Sequence, residues 1–152
     1  MLSNDNLKEY VGKLLRTLCE PTTPTTTQEV YCRLFAFDLD VVLPILSHEL
    51  DSEPDVVRLV LGVLIEISHH SHESIRSLFP KFIACLEHED RLVRAAAVQF
   101  VRETRLDDRA ILDSLRRRII EDEPIIQREA ALTLIELDDS LVEKLPKIFC
   151  EV

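Results

Sequence analysis

The sequence predicts an all-α protein: an α-solenoid of about four antiparallel helix pairs behind an N-terminal capping helix. Three observations predict it. The 152 residues include only two glycines, Gly12 and Gly62, which leaves no material for tight hairpins or a Gly-rich phosphate loop and favours helix. Apolar residues recur at three- and four-residue steps along almost the whole chain, the period of a helix with one buried face. The chain also repeats itself. Glu53-Pro54-Asp55-Val56-Val57-Arg58, Glu89-Asp90-Arg91-Leu92-Val93-Arg94 and Glu123-Pro124-Ile125-Ile126-Gln127-Arg128 superpose, with steps of 36 and 34 residues between the arginines. A period in the mid-thirties is that of stacked helix pairs, each hiding an apolar face that one pair alone leaves open.

Taken in order, residues 4–19 read as an amphipathic helix through Leu7, Tyr10, Val11, Leu14, Leu15 and Leu18, with Ser3 or Asn4 to accept its first amide hydrogens. Within this 1–20 capping segment the helix stops before Pro21. Residues 21–27, Pro-Thr-Thr-Pro-Thr-Thr-Thr, read as a loop, since two prolines and five threonines disfavour helix. The remainder, 28–152, is read as helical repeats. Helices are expected near 28–37, 40–50, 54–69, 73–87, 90–104, 108–120, 124–137 and 140–150, joined by short polar links that make neighbours antiparallel. Many links are acidic, and a carboxylate at a helix start favours the positive end of its dipole. The 54–69 segment is apolar on most of its circumference and is expected to be covered on most sides. Ala95-Ala96-Ala97 and Ala130-Ala131 place small side chains where helices approach closely.

Composition excludes several classes. Asp and Glu number 28 against 18 Lys and Arg, a net charge of −10, the wrong sign for a general nucleic-acid binder. No apolar run reaches membrane-spanning length, and the polar Met-Leu-Ser-Asn-Asp start is not a secretory signal. Cys19, Cys32, Cys85 and Cys150 lie far apart with no CxxC pair, so reduced thiols in a cytoplasmic protein of one domain, 1–152, are expected.

The repeat extends beyond its arginines. Eight residues before each stands an apolar residue (Leu50, Leu86, Ile120) followed by an acid (Asp51, Glu87, Glu121). Fourteen residues before come Pro44, Pro80 and Ser114, a series that Pro146 continues. In LPILSHELDSEPDVVRLV (43–60), FPKFIACLEHEDRLVRAA (79–96) and RRIIEDEPIIQREAA (117–131), the chain resembles the HEAT-repeat family. That family's pattern is Leu-Pro in one helix, an apolar–acid pair at its end, and Val-Arg opening the next. The match covers roughly residues 40–150. It departs where Ser114 replaces the proline and Gln127 the valine. The resemblance implies a right-handed solenoid, a scaffold or adaptor that binds proteins, no enzyme activity and no cofactor. It also implies that the second helix of each pair lines the concave face.

Arg58, Arg94 and Arg128 then read as a structural ladder linking neighbouring loops through acids rather than as a ligand row. On the second helices (73–87, 108–120, 140–150), eight cations (Arg76, Lys81, Arg109, Arg116, Arg117, Arg118, Lys144, Lys147) stand against five anions (Glu73, Glu87, Asp108, Asp113, Glu143). Residues 1–90 carry a net −8 and residues 91–152 a net −2. Arg76, Lys81, Arg116, Arg117, Lys144 and Lys147 are therefore the candidate partner-binding set, facing an acidic segment of a partner protein. Reversing Arg116 and Arg117 together is expected to weaken that binding and spare the fold. A solvated coat of long cations is the plainer account of the same residues.

Other candidates yield to plainer readings. His69, His70 and His72, with Glu73, contain donors for a divalent metal, but they fall in a turn, where polar residues collect. Cys19, Cys32 and Cys85 sit at core spacing among apolar neighbours and read as inert thiols. Asp107-Asp108 and Asp138-Asp139 stand at helix starts, where capping explains them. No Gly-x-Ser-x-Gly or His-Glu-x-x-His motif occurs. Alternative functions are an acidic inhibitor or immunity-type protein that neutralises a basic enzyme or, by fold analogy alone, a bilin-lyase-like enzyme or accessory factor, or a DNA glycosylase.

Overall fold

The computed structural model describes residues 4–18, 33, 39–70 and 75–137. Among them are seven α-helices and no β-strand: α1 (Asn4–Leu18), α2 (Leu39–Glu49), α3 (Pro54–His70), α4 (Phe79–Leu86), α5 (Arg91–Thr104), α6 (Arg109–Glu121) and α7 (Pro124–Leu137). The expected loop 21–27, almost all of the expected helix 28–37 and the whole of 140–150 lie outside the described residues. The chain divides into two compact units, residues 1–81 and 82–152, with the division inside α4. No helix of the described residues is long and apolar enough to cross a membrane.

In the first unit α1 packs on α2 and α3, and α2 on α3. Leu7, Val11, Leu14 and Leu15 form the buried stripe of α1, while Tyr10 stays partly exposed at its edge. Pro54 opens α3, where its missing N–H costs nothing because a first-turn amide has no helical acceptor. Val56, Val57, Val60, Leu61, Val63, Leu64 and Ile67 are all buried, so α3 is covered on most sides, as its composition predicts. Pro44 sits inside α2 with its ring exposed.

The expected helix 73–87 is interrupted rather than continuous over its described residues. Residues 77–78 form a turn, in which the Leu78 amide donates to the Ile75 carbonyl at 3.0 Å and the Lys81 amide to the Leu78 carbonyl at 2.9 Å. Pro80 has no N–H to offer the Arg76 carbonyl, so a continuous ladder cannot form there. Ile75 and Arg76 are helical before the turn, and helix resumes after it at Phe79.

In the second unit α7 packs on both α5 and α6. Phe82 of α4 and Phe100 of α5 are fully buried, with ring centroids 4.3 Å apart and tilted at 46°. Asp90 caps α5, its carboxylate accepting from the amides of Leu92 at 2.8 Å and Val93 at 3.4 Å. Asp108 occupies the corresponding position of α6 without making a side-chain cap bond. Helix α5 ends at Arg105, which adopts a left-handed conformation (φ 55°, ψ 41°) and donates its amide to the Val101 carbonyl. Ala97, Ala130 and Ala131 are buried where α5 and α7 meet their neighbours.

Candidate functional site

The second unit is organised around a row of arginines along one side of α5. Arg91 reaches Glu123 at 3.4 Å. Arg94 takes Asp122 with two bonds, Nε to Oδ2 at 2.8 Å and Nη2 to Oδ1 at 3.0 Å. It also donates to the carbonyls of His88 and Glu89. Arg102 pairs with Glu129 at 3.1 Å and Glu136 at 3.6 Å, and Arg105 donates to the Glu136 carbonyl at 3.2 Å. The four arginines stand at 91, 94, 102 and 105 and return to one side of the helix. Their acceptors lie on α7 or in the turn that precedes it.

A second cluster lies where α4 ends. Glu87 accepts from Ser114 at 2.9 Å, from Arg117 Nε at 2.8 Å and from Arg118 at 2.8 Å. Arg118 also reaches Asp122 at 3.2 Å, which joins the two clusters into one chain of charges: Arg117, Glu87, Arg118, Asp122, Arg94. The Asp122 side chain is 0% exposed. Burial pushes its carboxyl pKa up, but the Arg94 bonds, the Glu123 amide and Arg118 outweigh that and hold it below the ordinary 3.8. Glu87 follows the same pattern. Burial raises it, while the bonds from Arg117 and Ser114 and the charge of Arg118 carry it below 4.5. Arg94 is pushed up by its bond to Asp122.

This network redistributes the residues that the sequence singles out. Arg94 makes the expected link between loops. Arg58 does not: it pairs with Asp55, on its own helix and three residues back. The register gives the reason. Asp122 stands six residues before Arg128, whereas His88 stands six residues before Arg94, so an acid is missing at the corresponding position. Arg128 is exposed on α7. Lys81 pairs with Asp51 and Arg117 with Glu87, each acid taking a cation 30 residues further along. Arg118, counted among the surface cations, is buried instead. Among the described residues, Arg116 pairs only with Asp113 on its own helix, both about half exposed. Arg76 is exposed, and Lys144 and Lys147 lie outside the described residues.

Two further expectations change. Ile120, matched by the repeat to the buried Leu50 and Leu86, is 71% exposed. Ser114, the apparent departure from the repeated proline, is fully buried and spends its hydroxyl on Glu87. The exposed side of α6 thus carries Arg109, Arg116 and Ile120 at seven- and four-residue steps, one stripe of the helix. Among the described residues, no ion pair or hydrogen bond engages the Arg109 side chain.

The first unit holds an open groove of about 370 Å³ lined by Lys8, Glu9, Gly12, Lys13, Arg16 and Glu49. Arg16 folds back along α1, donates to the Gly12 carbonyl at 3.1 Å and reaches the buried Glu49 at 3.5 Å. A Cβ on Gly12 would stand 2.9 Å from the Arg16 guanidinium, the flexible end of a side chain that can swing aside. His69 is exposed at the end of α3, the side chain of His70 and all of His72 lie outside the described residues, and Cys85 is buried as a thiol. Compared with family models, curated proteins and solved structures, the chain finds no match.

Proposed function

We propose that this chain is a non-enzymatic interaction module of the cytoplasm, a HEAT-like right-handed solenoid whose second helices dock an acidic segment of a partner protein. The observation that carries this reading is the exposed stripe of α6, where Arg109 and Arg116 stand about two turns apart and Ile120 adds an apolar contact. Among the described residues Arg116 is held only by Asp113, an exposed pair three residues apart on its own helix, and such pairs are weak enough for a partner's carboxylate to displace. Arg117 and Lys81 belong to the internal ladder, so they stabilise the fold rather than face a partner. The perturbed carboxylates, Glu87 and Asp122, are consumed by arginines that join helices. That arrangement suits a scaffold, whose rigid surface loses little entropy on binding.

The test follows from this division. Reversing Arg116 with Arg117 would disturb the Glu87 cluster as well as the surface, so Arg109→Glu with Arg116→Glu is the cleaner perturbation. A fluorescent peptide of alternating Glu and Leu, titrated by anisotropy, is expected to bind the wild type at low salt and to lose at least tenfold in affinity to the double variant. Its far-UV circular dichroism should be unchanged. Equal affinity for both proteins would remove the α6 surface from the account.

A further inference from the structure

The side of α5 that carries Arg91, Arg94, Val98 and Arg102 is covered by α7, and Val98 is buried there. Shifted by the 34-residue step, the same positions on α7 are Ile125, Arg128, Leu132 and Glu136. These are open: Ile125 is 77% and Leu132 45% exposed, and Arg128 and Glu136 are exposed beside them. At 100° per residue all four fall within about 40° of the Leu132 direction, so they form one stripe. Among the described residues, no hydrogen bond or ion pair engages the Arg128 side chain.

The order of charges along this stripe is self-complementary. Arg128 stands four residues before Leu132 and Glu136 four residues after it, each about 6 Å along the helix axis. Two copies of α7 laid antiparallel about a two-fold axis at Leu132 place Arg128 of each chain opposite Glu136 of the other. Leu132 meets its own copy, and Ile125 extends the apolar strip toward the rim. A parallel arrangement would instead face like charges with like.

We propose that the exposed stripe of α7 is a docking site for a second copy of this chain, joined antiparallel through two Arg128–Glu136 pairs and a Leu132–Leu132 contact. One helix face buries less than the roughly 1,200 Å² at which stable interfaces begin, so the dimer is of the weak, concentration-dependent class. The symmetric pairing is isologous and closes at two subunits.

Sedimentation equilibrium of the full chain from about 5 to 500 µM tests this. A monomer–dimer equilibrium is expected, weakened at least tenfold by Arg128→Glu and by Leu132→Asp. The combination of Arg128→Glu with Glu136→Arg should restore association, because the exchanged charges again meet across the axis. Arg102 contacts Glu136 within the chain, so thermal unfolding of each variant is recorded alongside. Should the exchanged pair unfold, Leu132→Cys supplies an independent readout: under mild oxidation it should give a dimer whose peptide map shows the 132–132 link. A chain that stays monomeric to 500 µM would overturn the proposal. So would a dimer indifferent to Arg128→Glu and Leu132→Asp, or a link from 132 to Cys150 of the same chain, which would mean that residues 138–152 occupy the stripe.

Discussion

Removing the Asp122 carboxylate is the most informative perturbation of this molecule. It accepts Arg94 at 2.8 and 3.0 Å, Arg118 at 3.2 Å and the Glu123 amide at 2.8 Å. Asp122→Ala leaves two guanidinium groups, 15% and 11% exposed, without that partner. Deleting one member of a buried pair costs about 3–5 kcal/mol. Arg94 keeps the His88 and Glu89 carbonyls and Arg118 keeps Glu87, which places the expected loss near the lower end, about 3 kcal/mol. With a urea m-value of about 2 kcal/mol/M, the midpoint falls by about 1.5 M. Asp55→Ala is the control. Its pair with Arg58 is exposed, at 66% and 39%, and its loss should cost no more than about 0.5 kcal/mol. A double-mutant cycle with Arg94→Met should return a coupling of about 2 kcal/mol. The reasoning is refuted if Asp122→Ala shifts the midpoint no further than Asp55→Ala, or if the Arg94 and Asp122 effects simply add.

Two more outcomes follow from the same network. Asp122 and Glu87 are both held below their ordinary values of 3.8 and 4.5, so in acid the unfolded chain binds more protons than the folded one. Their stabilisation is complete above about pH 4.5 and is lost as pH falls through the lowered folded values; urea midpoints measured from pH 6 to pH 2.5 should fall steeply below 4.5, and less steeply in Asp122→Asn. Ser114→Pro, which restores the proline of the repeat, should cost about 3 kcal/mol or more in thermal unfolding, since it breaks a helix interior and removes the hydroxyl that Glu87 accepts.

The helices were legible because their ends are marked in the sequence. Pro54 and Pro124 open helices where proline is tolerated, and the apolar period between 124 and 137 matches α7 residue for residue. Helix over 75–76 and 79–86 was legible, but the break at 77–78 was not, because the apolar period continues through Pro80 and periodicity alone does not register a missing N–H. In the candidate site, a link from Arg94 to an acidic loop was readable from the repeat, but its acid, Asp122, stands one residue past the repeated Glu121 and has Ser52 and His88 as its counterparts. The burial of Arg118 was also readable in principle, since it lies seven residues beyond Ile111 and three beyond Leu115, in phase with the buried stripe. It was hidden by its neighbours Arg116 and Arg117, which suggest a continuous surface patch. Arg91, Arg102 and Arg105 were missed for a different reason. Their partners lie about thirty residues away, on α7 or in the turn before it, and only the packing of one helix on another brings them within reach. Arg58 stands in the right register, but the loop position matching Asp122 holds His88, so it turns to Asp55 on its own helix and repeated sequence did not produce repeated contact.

The position of Asp122 also bears on how the second unit comes apart. One carboxylate holds α5 through Arg94 and the last turn of α6 through Arg118, and it sits two residues before α7 begins. Fraying of α6 therefore strands a charge that α5 needs, and detachment of α5 strands one that α6 needs. Amide protons across these three helices are therefore expected to exchange through a common opening event, with the second unit losing its order in one step rather than helix by helix.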